Sequence, residues 1–251
     1  MHSVRRIVAR HRRQLLPHRH SIAAIAIIFF GPANQAGAVD FSGNAAVVSD
    51  NRFRGLSLSD QHPVATATVE ASSGPWFVGA EAVSSARVRS PIRIPRRNAE
   101  VDVSGGWTRS LGLVTPTVGV IAYLHPGGGE AANGEVFASL AGAIGPATVT
   151  LGANYAPDQR AVRGGNLYLA AAAAVAVPTT PLTVRASVGR ERGGFAGVRT
   201  KIDWSAGVEV RVLRIVTLGI GYVGNDLPRV AAVGTRRNRS DGVVVRAGVS
   251  F

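Results

Sequence analysis

The chain of 251 residues has no cysteine and one methionine, aromatics make up only 6% of it, and 15 acidic residues face 28 lysines and arginines. Without cysteine there is no disulfide framework, no thiolate-held zinc or iron–sulfur centre and no thiol catalysis. No apolar run reaches the roughly 20 residues that a membrane-spanning helix requires. Charged residues are scarce as well, at 17%, while 46% of the chain is hydrophobic and mean hydropathy is +0.16. That balance excludes a disordered polyelectrolyte. The formal net charge of +13 points toward nucleic acid or another polyanion. The N-terminal segment weakens that pointer.

Residues 1–20 carry Arg5, Arg6, Arg10, Arg12, Arg13 and Arg19 and no acid, and an apolar run from Ile22 to Phe30 follows. The run ends at Gly31-Pro32, and Ala36-Gly37-Ala38 places small residues at the −3 and −1 positions of a cleavage site. A basic region, an apolar core and an A-x-A site together describe a secretory signal peptide. The expected organisation is a signal peptide over 1–38, cleaved after Ala38, and one domain over 39–251. Cleavage removes six arginines and no acid, so the mature charge falls to +7, and His2, His11, His18 and His20 leave with the signal.

Beyond Ala38 the apolar residues recur with period two, the signature of strands with one apolar and one polar face. In 243–251 Val243, Val245, Ala247, Val249 and Phe251 alternate with Val244, Arg246, Gly248 and Ser250. In 201–212 Ile202, Trp204, Ala206, Val208, Val210 and Val212 alternate with Lys201, Asp203, Ser205, Gly207, Glu209 and Arg211. The pattern predicts twelve strands, at about 41–53, 62–72, 76–86, 99–109, 113–124, 133–144, 147–156, 166–177, 182–190, 201–211, 215–224 and 242–251. The Ala-rich eighth could also be a helix by propensity.

Connection lengths give the topology. Short links at 73–75, 110–112, 145–146, 178–181 and 213–214 alternate strictly with long ones at 54–61, 87–98, 125–132, 157–165, 191–200 and 225–241. Short periplasmic turns, long extracellular loops and an even strand number define an outer-membrane barrel. The fold class expected is therefore all-β: a closed antiparallel transmembrane β-barrel of about 12 strands. The chain also ends as such barrels end, in an alternating strand closed by an aromatic residue. Val245, Ala247, Val249 and Phe251 form the expected signal for the barrel-assembly machinery.

The stretch from Ser49 to Pro63, SDNRFRGLSLSDQHP, resembles the first hairpin of the TorF family of proteobacterial porins, whose pattern is close to S-x-Y-x-F-R-G-x-S-x-[ST]-x-x-x-P. Gly74-Pro75-Trp76-Phe77 matches the aromatic step that follows it. Asn51 replaces the family's common Tyr, and the segment Arg87 to Arg97 is more basic than the pattern. The resemblance implies a small outer-membrane barrel and says little about solute.

If the apolar face meets lipid, parity places Asp50, Arg52, Arg54, Glu70, Glu81, Asp102, Arg185, Asp203, Glu209, Arg211 and Arg246 in the lumen. Lumen charges of both signs suit passive diffusion of small polar solutes, anions among them, through a Gram-negative outer membrane reached by Sec-type export. The alternative is a non-conducting structural barrel anchored to lipopolysaccharide. In that account Arg54 staples the wall by pairing with Glu70 or Asp102. Arginines 87, 89, 93, 96, 97, 160, 163, 190, 192, 199, 229, 236, 237 and 239 sit in or beside the long loops, where guanidinium forks suit lipid phosphate.

Nucleic acid is not an expected partner, because the aromatics are read as facing lipid and leave no stacking platform. A remote alternative is a hydrolase with a rim site near His62 or His125, with Ser57, Ser59 and Asp60 close in sequence. Gly127-Gly128-Gly129 lacks the Lys-Ser/Thr and helix of a phosphate cradle. No cofactor or metal is expected, and oligomeric state is not legible.

The processing expectation is directly checkable. N-terminal sequencing of the membrane-extracted protein should begin at Val39, and a mature form that keeps Arg5 to Arg19 would contradict it.

Overall fold

The computed structural model describes residues 39–84, 99–124, 126, 133–159, 164–196, 200–227 and 241–251. Ala36, Ala38, His125, Gly127 to Gly129 and the loop arginines other than Arg190 and Arg192 lie outside the described residues.

Twelve long strands and one short hairpin make up the described chain. They are β1 (Asp40–Val48), β2 (Arg52–Phe53), β3 (Leu56–Ser57), β4 (Val64–Ser73), β5 (Trp76–Ser84), β6 (Ala99–Thr108) and β7 (Val114–Leu124). They continue as β8 (Asn133–Ile144), β9 (Ala147–Ala156), β10 (Asn166–Ala176), β11 (Leu182–Gly193), β12 (Lys201–Val212), β13 (Val216–Asn225) and β14 (Gly242–Ser250). Strands β4 to β14 pair in sequence order, and β1 closes the ring by pairing with both β14 and β4. Closure leaves no sheet edge, as a hydrocarbon surrounding demands of every backbone amide and carbonyl. The Ala-rich β10 is a strand paired along its length with β9 and β11; pairing on both sides overrides its helix propensity.

Parity sorts the faces as the sequence pattern requires. Val47, Val69, Val78, Val103, Val120, Leu151, Val188, Val208, Ile220 and Val245 are exposed on the outside. Trp76 pairs with Trp107 near the short-turn end, where Phe41 and Phe251 also face outward. Tyr155, Trp204 and Tyr222 face outward toward the other end. An apolar band between two aromatic belts matches a bilayer with its two interfaces.

Phe251 completes the seam. Its amide donates to the Gly43 carbonyl at 3.0 Å, and the Gly43 amide donates back to the Phe251 carbonyl at 3.1 Å. The ring covers Gly43 so closely that a Cβ there would lie 2.3 Å from it. Glycine at 43 lets the terminal ring lie flat on the seam, and a larger residue there would push it aside.

Two expectations need correction. The first strand stops at Val48 instead of running to residue 53, because Ser49 turns the chain into the barrel and residues 52–57 form the β2–β3 hairpin. The aromatics do not all face lipid. Phe77, Phe137 and Tyr168 lie on the lumen face, each across a glycine of a neighbouring strand, Gly106, Gly119 and Gly189. The missing side chains let the rings lie flush with the wall.

The two faces should respond differently to substitution. Val208→Arg puts a charge into the lipid near the middle of β12 and should destabilise by about 2–4 kcal/mol. Ser139→Asn, on the lumen face opposite Gly152, should change stability little. Heat-modifiable gel mobility across a urea series reads both, and equal effects would contradict the assigned register.

Candidate functional site

Residues 49–63 do not form an outer loop. They fold into the lumen as a hairpin, and their local chemistry explains why. Arg52 pairs with Ser57 and Phe53 with Leu56, leaving Arg54-Gly55 as a two-residue turn with φ of 47° and 81°. Positive φ at both positions is the type I′ geometry that matches the twist of a tight hairpin. A Cβ on Gly55 would sit 2.6 Å from the Gly224 carbonyl oxygen and 2.8 Å from Asp203 Cβ. The tip is thus pressed against the β12–β13 wall, where only glycine fits.

The base of the hairpin is tied together by its own polar side chains. The Asp50 carboxylate accepts from Arg52 Nε at 2.5 Å, from Ser57 Oγ at 2.5 Å and from Ser59 Oγ at 3.0 Å. Ser59 Oγ in turn accepts the Asn51 amide at 2.9 Å, and Ser57 Oγ accepts the Gln61 amide at 2.9 Å. The base is stitched to β14: the Ser49 amide donates to the Val245 carbonyl and Ser49 Oγ accepts the Val245 amide, both at 2.9 Å.

Arg54 makes the longest reach. Its guanidinium donates to Glu191 Oε1 on β11 and to Glu135 Oε2 on β8, each at 2.6 Å. It also lies over the rings of Phe53 at 4.4 Å and Tyr168 at 4.2 Å. Burial acts to lower its pKa, but the charges of Glu191 and Glu135 outweigh that and raise it, so Arg54 stays cationic. Lys201 Nζ on β12 completes the cluster by donating to Glu191 Oε2 at 2.7 Å and to the Arg54 carbonyl at 2.8 Å. Asn225 on β13 donates to the Gly55 carbonyl at 2.9 Å. Phe53 meets Tyr123 of β7 edge-on, with ring centroids 6.4 Å apart.

The hairpin therefore spans the lumen and touches the wall on β7, β8 and β10 to β14. At this level, toward the long-loop end, every long strand except β14 contributes a lumen-facing side chain no more than 9% exposed. Val48, Val64 and Val83 form the apolar part of that ring. The other half of the lumen is wetter, with Glu70, Glu81, Ser104, Ser139 and Ser187 only half-buried.

The expected lumen residues divide by position. Glu70, Glu81, Asp102, Arg185, Asp203, Glu209, Arg211 and Arg246 do lie on inward-facing strand positions. Arg185 pairs with Glu209 at 2.6 Å, Arg246 donates to Asn44 Oδ1 at 2.6 Å, and Asp203 accepts from the Tyr168 hydroxyl at 3.0 Å. Arg211 is exposed at the short-turn end. Asp50, Arg52 and Arg54 are instead on the inserted hairpin and are buried. Arg54 is stapled, but to Glu135 and Glu191 and not to Glu70 or Asp102.

Parity reasoning on the selected charges omitted Glu135, Glu191 and Lys201. The signal for them was present, since Glu135 and Lys201 occupy lumen-parity positions of their strands. His62 Nδ1 lies 3.1 Å from the Ser59 carbonyl oxygen, while the Ser57 and Ser59 hydroxyls turn toward Asp50. The side chains near His62 thus form the hairpin base and not a serine–histidine relay. Arg190 and Arg192 are exposed on the outer face of β11, near its long-loop end.

The chain belongs to the Gcw_chp family, bacterial proteins of unknown function, and residues 32–251 match it. No curated protein matches the chain. Among solved structures, the NanC porin superposes with a TM-score of 0.56 at 13% identity, covering 84% of this chain and 99% of that one. The KdgM porin, solved in complex with disordered oligogalacturonate, gives 0.52 at 7% identity, covering 85% and 98%. An outer-membrane channel from Pseudomonas putida F1 gives 0.50 at 9%, covering 87% and 96%. At these identities the likeness establishes the barrel fold.

Removing one partner from a buried ion pair leaves the other uncompensated, which destabilises by about 3–5 kcal/mol unless the structure opens to water. Arg54→Gln should therefore lower the urea midpoint or free the hairpin. Limited trypsin digestion detects the second outcome as new cleavage after Arg52, a bond protected in the wild type. An unchanged midpoint together with unchanged protection would contradict the latch.

Proposed function

We propose that this Gcw_chp-family chain is an outer-membrane porin-like channel for passive diffusion of small polar solutes, with the inserted hairpin as its constriction. One observation carries the reading: a closed barrel, apolar outside and polar inside, has its own first loop folded across the lumen. A barrel built only to be a wall has no need of an ion-paired element inside, whereas a diffusion channel needs a defined narrowing. The resemblance of the F-R-G segment to TorF-family porins supports the reading, because the matched residues are those that shape and latch the hairpin.

A preference for anions would need Arg52 and Arg54 as free charges at an open mouth. Both are buried beside carboxylates, so neither serves as a free positive charge there. The second reading, a non-conducting structural barrel, draws on the dry ring around the hairpin. In either reading a signal peptide over 1–38 directs Sec-type export and the assembly machinery reads Val245, Ala247, Val249 and Phe251. Arg190 and Arg192, with the loop arginines, meet the phosphates of lipopolysaccharide in the Gram-negative outer membrane.

Planar-bilayer recording of the refolded protein separates the two. The wild type should show small, discrete conductance steps. A variant in which residues 51–59 are replaced by a Gly/Ser linker should fold to the same heat-modifiable form and conduct several-fold more, since conductance follows the narrowest section. Silence from both proteins would leave the structural barrel.

A further inference from the structure

The charges at the constriction have a sign that the whole chain does not. Among the described residues the buried charged side chains are Asp50, Arg52, Arg54, Glu100, Asp102, Glu135, Glu191, Lys201 and Asp203, six acids against three bases, a formal balance of −3. All nine lie at or beside the hairpin level. In the sequence, the mature chain's excess of arginine falls mainly within 87–97, 160–163, 199 and 229–239, outside the described residues. A narrow passage is governed by the fixed charge at its walls, because dilute salt screens weakly over such distances.

A second observation locates the passage. The hairpin tip is seated on the β12–β13 wall, while unpartnered polar atoms are strung along β8 and β9, with Asn133 and Glu135 at the hairpin level and Thr150, opposite Ala141, nearer the short-turn end. Glu135 Oε1, both side-chain polar atoms of Asn133 and Thr150 Oγ1 are buried without a hydrogen-bond partner among the described residues. Glu135 already uses its other oxygen for Arg54, Tyr123 and Asn154. The Glu135 side chain is fully buried, and Asn133 and Thr150 are 3% and 2% exposed. A native wall does not leave such groups dry without cause. Acceptors dominate here, and they suit a positively charged or strongly donating solute.

We propose that the solutes passing this constriction are small cations, and that they pass along the β8–β9 wall beside the hairpin, over Thr150, Glu135 and Asn133. This rests on the channel reading above and names the solute class for it. The carboxylate Glu135 serves two cations in turn: Arg54 permanently through Oε2, and the passing ion transiently through Oε1. Asp203, with Oδ2 also unpartnered, adds to the field from β12, three strands beyond β9 in the ring, without lining the route.

Reversal potentials across a KCl gradient test the proposal. The wild type should prefer potassium over chloride roughly threefold or more at low salt, with the preference fading toward 1 M as the Debye length falls to about 3 Å. Asp203→Asn keeps an acceptor for Tyr168 and removes one charge, so the preference should fall while folding is retained. Thr150→Val keeps shape and removes the hydroxyl, so unit conductance should fall without a change in the unfolding midpoint.

Conductance that prefers chloride, or an Asp203→Asn variant with unaltered preference, overturns the cation assignment and leaves the channel standing. An unaltered conductance in Thr150→Val overturns the route. A wild type silent even after the hairpin replacement overturns the channel, and this inference with it.

Discussion

The contact on which the lumen depends is the guanidinium of Arg54 held between Glu135 and Glu191, each at 2.6 Å. Neither carboxylate is tolerable alone in a dry interior, and neither is Arg54. The wall and the hairpin therefore specify each other. Remove the hairpin and two acids on β8 and β11 face an unoccupied lumen; remove the acids and the hairpin loses its anchor. Lys201 ties the two together by bonding both Glu191 and the Arg54 backbone. Such a cluster adds little net stability over an apolar packing of the same volume, but it fixes position sharply, because the fork of Arg54 fits only where two carboxylates converge.

The second constraint is closure. Lipid requires every strand to be paired on both sides, and the last pairing to form in sequence terms is β1 with β14. Ser49 bonds Val245 at the point where β1 ends and the hairpin begins, and a Cβ on Gly242 would lie 2.6 Å from the Arg52 guanidinium. The seam and the inserted hairpin thus share residues, so closing the barrel and seating the hairpin are one packing problem. At the other end of the same seam Phe251 covers Gly43. A single strand pair carries both the terminal aromatic and the root of the constriction.

Much of this was legible from alternation alone. The twelve long strands fall close to the positions read from period two, because register in a barrel with a greasy exterior is fixed by which side chains can face lipid. Proline or glycine marked four of the five short turns, Leu213-Arg214 being the exception, and loop length marked the sides. What alternation could not show is where a strand stops being wall. Asp50, Arg52 and Arg54 continue the parity of β1, so they read as lumen-facing wall, whereas the chain has already turned inward at Ser49. The local clue was Arg54-Gly55 between Phe53 and Leu56, a two-residue turn flanked by apolar partners. The partners of Arg54 lie 81 and 137 residues away; only the closed register brings them together, so Glu70 and Asp102 were equally reasonable on paper. The inward aromatics were misread for a related reason, since the glycines that accommodate Phe77, Phe137 and Tyr168 sit on neighbouring strands.

Residues 49–63 fill the lumen and Arg54 holds them there. The chain contains no cysteine, so a single Ser57→Cys substitution supplies a clean reporter at a position 1% exposed. Labelling of intact cells with a membrane-impermeant maleimide measures it directly. This cysteine should react slowly in the wild-type background and at the rate of an exposed thiol once Arg54→Gln is added. Rapid labelling in the wild-type background would contradict it, because the segment would then be an outer loop and not the constriction.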